Sequence, residues 1–373
     1  MKNKSTVAAI MMSLTVSYYC SETKAGDPGR SGQAGASELL IDPWAGSSGF
    51  AEANNADVQG IEAQYLNVAG TAQLTHTEVI LASTDYMIGS GIHISEAGFC
   101  QPIGEGAIGF SIMSMSLGTI NMTTYDYPDG GIGYFTPQLI NIGTSYARHF
   151  SDYIFGGVNI KLIDEAISNV HAFGAAVDAG IQYVAGPDKN IHFGIALKNV
   201  GPAMSYAGDG LTFETQSNTN PLAPPNTTNP NAYTQSAQQG SQAFELPSLV
   251  SIGAAYDFYL AKDSGTKSVH RITVAVNFTS NSFTQDQEML GLQYAYKNFF
   301  SIEAGYDYQN GITSSLSTNP TDGGRLTAFT GFCAGATLQC PFGKKHSIVG
   351  ISYSYRATNP YQGCNTLGLK LDL

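Results

Sequence analysis

Through most of the chain after residue 70, apolar residues alternate with small or polar ones, and the alternation is sharpest from Val170 onward. Phe173, Ala175, Val177, Ala179, Ile181 and Tyr183 fall on one side of an extended segment, opposed by Gly174, Ala176, Asp178, Gly180 and Gln182. The same period of two sets Ile191, Phe193, Ile195 and Leu197 against His192, Gly194, Ala196 and Lys198, and Ile272, Val274, Val276 and Phe278 against Thr273, Ala275, Asn277 and Thr279. The last such run carries Leu367, Leu369, Leu371 and Leu373 on one face, with Gly368, Lys370 and Asp372 between them.

Broken at Gly, Pro, Asn and Asp clusters, the pattern predicts fourteen strands. They fall near 74–82, 86–95, 106–116, 138–148, 153–164, 170–185, 190–199, 247–260, 269–280, 286–297, 299–308, 326–338, 346–356 and 365–373. Each approaches the roughly 9 to 11 residues that a tilted strand needs to cross a bilayer, and an even number brings both ends of a barrel to one side. The connections alternate in length. Those at 117–137, 200–246, 309–325 and 357–364 are long, whereas those at 149–152, 186–189, 298 and 339–345 are short. Short periplasmic turns opposite long external loops are the outer-membrane pattern. A secreted β-sandwich or propeller also alternates, but it does not call for small residues so consistently on one face. The expected fold class is therefore all-β: a transmembrane antiparallel β-barrel of about fourteen strands, led by a short N-terminal plug containing helical turns.

Composition supports this. Only 12% of the 373 residues are charged, against about a quarter in ordinary soluble domains. No run reaches the roughly 18 apolar residues of a membrane helix. A net charge of -12, with 17 Lys plus Arg and no basic cluster beyond Lys344-Lys345, argues against a nucleic-acid footprint.

The N-terminus reads as an export signal over residues 1–25: Lys2 and Lys4, an apolar run from Val7 to Val16, and Thr23-Lys24-Ala25 as a small-residue cleavage site. Lipoprotein processing at Cys20 is the rival, disfavoured by Tyr18-Tyr19. Residues 26–70 are not strand-like. Two helical turns, at 36–40 and 57–66, joined by the Gly/Ser segment Gly46 to Gly49, make a plug; the plainer alternative is a loose periplasmic tail. The barrel then occupies 71–373, with its longest external loop at 201–246. That loop carries no Lys, Arg or His. Its Tyr206, Phe213, Pro224, Pro225, Tyr233 and Phe244 form a partly apolar surface for a protein partner, unless it is simply a solvated loop.

The sequence gives no catalytic, cofactor or metal assignment. The seven histidines lack metal-ligand spacing, and no nucleophile elbow or phosphate-cradling glycine loop occurs in context, so the expectation is a protein that is not an enzyme. His192, Lys198, Asp178 and Asp257 read as polar packing inside the barrel. Beyond Cys20, four cysteines remain. Cys333 and Cys340 would lie about 23 Å apart on one strand, too far for a disulfide.

Several short segments resemble the PorV/PorQ family of outer-membrane proteins. They are Glu38-Leu39-Leu40, Ala51 to Asp57, Ala63 to Gly70, Gly143 to Arg148, Phe155 to Lys161, Ala176 to Tyr183, Leu197 to Gly201 and Leu246-Pro247. Val68 stands where that family has proline. The resemblance implies a FadL-like fourteen-stranded barrel serving the type IX secretion system of Bacteroidetes. Its partners would be the translocon barrel, the C-terminal signal domain of cargo and attachment-complex proteins, held by external loops with no covalent chemistry. The shared fold also raises an alternative, a FadL-like channel for hydrophobic small molecules.

Overall fold

The computed structural model describes residues 26, 28–217, 233–262, 268–297, 299–317, 324–342 and 347–373; the expected leader at 1–25 lies outside them. Fourteen long strands form the wall. In chain order they are β1 (Glu78–Tyr86), β2 (Ile92–Ile103), β3 (Gly106–Ser116), β4 (Gln138–His149), β5 (Ile154–Ile167), β6 (Val170–Ala185) and β7 (Ile191–Val200), followed by β8 (Leu249–Lys262), β9 (Ser268–Asn281), β10 (Gln287–Tyr296), β11 (Phe300–Tyr308), β12 (Phe329–Phe342), β13 (Ser347–Thr358) and β14 (Cys364–Asp372). Each pairs antiparallel with its neighbours in sequence, and β1 pairs with β14 from Glu78↔Asp372 to Asp85↔Asn365, so the barrel closes.

Closure removes every open sheet edge, which hydrocarbon requires because unpaired backbone groups there cost several kcal/mol each. The apolar face of the alternation points outward. Phe173, Ile181, Phe193, Ile195, Ile252, Leu290 and Leu292 are all exposed on the wall, and Leu369 is 49% exposed. A continuous apolar band of this kind on a monomer marks a membrane face. Phe150, Tyr153, Tyr183, Phe299 and Phe342 lie exposed near the end of the barrel that holds both chain ends of the wall, as an interfacial aromatic girdle does. The opposite end carries the long connections, 117–137, 201–248 and 309–328, and is taken as external.

The inward face of the wall is rich in Gly, Ala, Ser, Thr and Asn because a plug occupies much of the lumen. Six short helical turns, Pro28–Arg30, Ser37–Leu40, Ala45–Gly49, Ala53–Ala56, Ala63–Leu66 and Val68–Gln73, fold into a plug inside it. Trp44, Phe50 and Ile61 are fully buried there, worth about 1.5–3 kcal/mol each for large side chains. Close approach explains the glycines. A Cβ on Gly194 of β7 would meet the Asn55 carbonyl at 2.7 Å, and one on Gly49 of the plug would meet the Gly335 Cα of β12 at 2.9 Å.

Two expectations are corrected. The first hairpin lies four to eight residues later than 74–82 and 86–95 place it, with its turn at 87–91, where Met87, Gly89 and Gly91 have positive φ. Ser83-Thr84-Asp85 reads as a turn, yet the lumen is polar: Thr84 faces it and hydrogen-bonds Thr366 of β14 at 2.8 Å. The plug is also more helical than expected, since Gly46 to Gly49 is itself helix and no linker. Small residues there serve contact with the wall, and the plug runs on to residue 77.

Candidate functional site

Asn67, in the Ala63 to Gly70 segment, ties the plug to the wall. Its side-chain oxygen accepts from the Ala69 N–H at 3.3 Å, capping the last helical turn. Its Nδ2 donates to the carbonyls of Asn55 (3.2 Å), Ile181 (3.2 Å) and Ile195 (3.4 Å), reaching β6 and β7 together. Gln182 of β6 answers by donating to the Asn55 and Val58 carbonyls, both at 3.1 Å.

Among the described residues, the larger cavities of the lumen lie on either side of the plug, and a small one of about 40 Å³ lies between the plug and the wall beside Trp44 and Met113. The external chamber, about 250 Å³, has one side made of Leu40, Tyr65, Leu66, Leu249, Met289 and Phe329 and another of Asn277, Thr279, Asn281 and Gln287, with Lys198 and Arg356 also lining it. The periplasmic vestibule has two lobes of about 240 and 420 Å³ that share Asn54, Gln59, Glu62, Arg271, Gln293 and Lys370. Its lining is mainly polar, with Phe50, Val58, Ile80 and Phe300 among the apolar residues.

Plug residues 50–57 form part of the partition between them, beside the turn that carries Glu62 on the vestibule side and Tyr65 and Leu66 on the chamber side. Glu52 and Asn55 line the external chamber, while Phe50, Asn54 and Asp57 line the vestibule. Ala51 and Glu52 sit at φ 56° and 59°, left-handed conformations that cost roughly 1–2 kcal/mol per residue. Two wall contacts hold this bend. Arg356 of β13 pairs with the Glu52 carboxylate at 2.9 Å, and Asn277 of β9 donates to the Glu52 carbonyl at 3.1 Å.

Within the plug, burial pushes Asp42 up to about 8, with Glu52 adding to the shift, and pushes Glu62 up to about 7. The Glu62 shift is opposed by Lys370 and reinforced by Glu78 and Glu303.

His192, Lys198, Asp178 and Asp257 are all buried in the lumen, as the alternation requires. Asp178 pairs with Lys161 at 2.8 Å and accepts from Asn159 and from the Asn199 N–H. His192 pairs with Asp257 at 3.3 Å. Lys198 differs: among the described residues its charge meets no carboxylate, only the Tyr65 ring, 3.6 Å from the centroid.

Closure also builds a cluster that sequence spacing does not reveal. His76, Glu78 and Asp372 come together at the β1–β14 seam, where Lys370 already bridges the two carboxylates. The four cysteines beyond Cys20 are unpaired.

The loop residues expected to bind a partner are divided. Tyr206 and Phe244 turn inward: their rings lie 5.7 Å apart and pack on a cluster that includes Ala36 and Leu39 of the plug. Tyr206 also donates its hydroxyl proton to Glu165. Phe213 is 50% exposed on a two-stranded hairpin, Thr212–Ser217 with Tyr233–Gln238, in which Tyr233 lies opposite Ser217. Pro224 and Pro225 lie outside the described residues.

No family model matches the chain, and no curated protein does. Solved structures do. The chain aligns with the CymD monoaromatic hydrocarbon channel over 89% of its own length and 97% of that protein's, at 11% identity and a TM-score of 0.52. A mutant of the TodX monoaromatic hydrocarbon channel aligns over 88% and 97%, at 10% identity and a TM-score of 0.50. A FadL homologue of Pseudomonas aeruginosa covers 88% of the chain at 12% identity, with a TM-score of 0.45. The chain shares the fold of these two monoaromatic hydrocarbon channels.

Proposed function

We propose that this protein is a FadL-like outer-membrane channel that takes small, largely apolar molecules into its external chamber and releases them past the plug. The observation behind this reading is the pair of cavities on either side of the plug, the outer one part apolar and the inner one mainly polar. A ligand held outside has the plug to cross, and at Ala51 and Glu52 the plug is bent against its conformational preference. Rate control by such an element is a general device of gated sites. The similarity in fold to hydrocarbon channels supports the same class of cargo. Nothing in this process makes or breaks a covalent bond. The test is toluene uptake by a Gram-negative host that lacks hydrocarbon channels. Producing the protein should raise uptake several-fold, and Met289→Trp, which fills the chamber, should return it to background. Unchanged uptake on producing the wild-type protein would refute the proposal.

A second reading is the type IX secretion component that the PorV/PorQ resemblance implies, holding the translocon barrel, cargo signal domains or attachment-complex proteins. What favours it is the hairpin carrying Phe213, which pairs with no wall strand and presents an apolar side chain outward. If it is right, crosslinked pull-downs should recover those proteins with the wild-type chain and lose them with Phe213→Asp. Equal recovery with both chains would discard this role for the hairpin.

A further inference from the structure

The small cavity between plug and wall collects oxygen atoms that the protein itself does not satisfy. Glu38 and Gln64 enter its lining from two helical turns of the plug, and Glu96 of β2 and Asn141 of β4 enter from the wall. All four are more than nine-tenths buried, and Glu38 Oε1, Gln64 Oε1, Glu96 Oε2 and Asn141 Oδ1 have no hydrogen-bond donor among the described residues. Such orphaned buried oxygens are uncommon. Register places the wall pair. Glu96 lies opposite Met113 of β3, and Met113 lies opposite Asn141, so the two Cα atoms flank one residue at about 9–10 Å and both side chains turn into the lumen.

A chain of donors fixes Gln64. The Asp178 carboxylate, paired with Lys161, can only accept, so Asn159 turns Nδ2 to it at 3.0 Å. Asn159 Oδ1 then accepts from Gln64 Nε2 at 3.0 Å, and Gln64 Oε1 is the group left over. Lys161 is the only cation in the lining among the described residues, and its ammonium is engaged by Asp178 and Asn199, both at 2.8 Å. Asn141 lies beside the Glu38 carboxyl and Ser111 beside that of Glu96. One oxygen of each carboxyl still lacks a donor.

Water brings two hydrogens per molecule, and about 40 Å³ holds only a few molecules. It would also leave two carboxylates in one cavity without a counter-charge. A cation meets both needs. Oxygen ligands with no nitrogen or sulfur select a hard ion, and an irregular set of two carboxylates and two amide oxygens suits calcium, which accepts flexible geometry. Magnesium demands an octahedron and keeps several of its waters.

We propose that this cavity is a calcium site in which Glu38 and Gln64 of the plug and Glu96 and Asn141 of the wall share one ion, fastening the plug inside the barrel. The site is independent of what the barrel carries.

The experiment is calorimetric titration of the full-length, detergent-solubilised protein, stripped with EGTA, with calcium chloride and separately with magnesium chloride. Wild type should take up calcium at a single site, with magnesium weaker by about tenfold or more. Glu38→Gln and Glu96→Gln keep the shape of each side chain and remove its charge; each should weaken calcium about tenfold or more, since affinity follows the number of charged ligands. Terbium luminescence carries the test if these variants fail to fold. Trp44 lines the cavity and is the only tryptophan in the chain, so terbium in the wild-type site should emit when tryptophan is excited, and added calcium should abolish that emission by displacing it. No calcium uptake is what protonated carboxyls with water predict, and it overturns the site. Uptake indifferent to both variants, or terbium emission that tryptophan excitation does not sensitise, overturns it equally.

Discussion

At the scale of single residues, each strand position takes its identity from the side it faces. Leu369 sits on the lipid face between Gly368 and Lys370, which point into the lumen, so Leu369→Arg should cost about 2–4 kcal/mol near the bilayer midplane. Urea-dependent folding into lipid vesicles measures this, and an unchanged midpoint would reverse the orientation of every strand. Asn67 makes a different contribution, because one amide caps a helical turn and reaches carbonyls of two wall strands. Loss of a cap costs about 1 kcal/mol, and each hydrogen bond lost between plug and wall adds about 0.5–1.5 kcal/mol. Asn67→Ala should therefore lower the unfolding midpoint well beyond an exposed substitution such as Gln242→Ala. These roles differ in how far sequence reveals them. Lipid-facing leucines are legible from alternation alone. The meeting of Glu52 with Arg356 is not, because 304 positions separate them and only closure of the barrel brings them together.

At the scale of elements, strands repeat one physical rule and the plug does not. Thirteen wall connections place fourteen strands in register, and a period of two finds nearly all of them, since each strand must put its apolar side on lipid. The first hairpin departs because a polar lumen admits Ser83-Thr84-Asp85 within a strand, where a soluble core would have ended it. The plug departs further, since its turns are shaped by contact with the wall: Gly49 lies against Gly335, and Ala53 packs with Phe50 beside Ala255 and Ala275. Burial inside the lumen also gives the plug a pH dependence. Asp42 and Glu62 have values raised to about 8 and about 7 from ordinary values near 4, so the seated plug holds protons that a released one gives up. That contribution to seating is complete below about pH 4 and is lost as pH rises through 7 to 8. Trp44 is the only tryptophan in the chain and lies in the plug, so acrylamide quenching of its fluorescence reports seating directly. Quenching should increase from pH 6 to pH 9; a flat profile would mean that neither carboxyl controls the plug.

At the scale of the whole molecule, the division of labour follows from membrane physics. Lipid fixes the outer face, the plug fixes the inner one, and what remains for function is the space the two leave between them together with the external loops. Alternation therefore predicts the barrel and remains silent on the chambers, whose walls come from many separate segments of plug and wall. Of the buried charges that alternation assigns to lumen packing, Asp178, Asp257 and His192 each have an ion-pair partner, and Lys198 has none among the described residues. The difference rests on partners contributed by distant strands, which single-strand patterns do not encode.

The most direct measurement is diffraction from crystals of the full-length protein soaked in iodobenzene, with iodine located by its anomalous signal. Density inside the lumen on the long-loop side of residues 50–57, bounded by Leu40, Leu249, Met289 and Phe329, is the expected result. Iodine confined to the lipid-facing leucines, with none in that chamber, would contradict a channel that takes its cargo from outside.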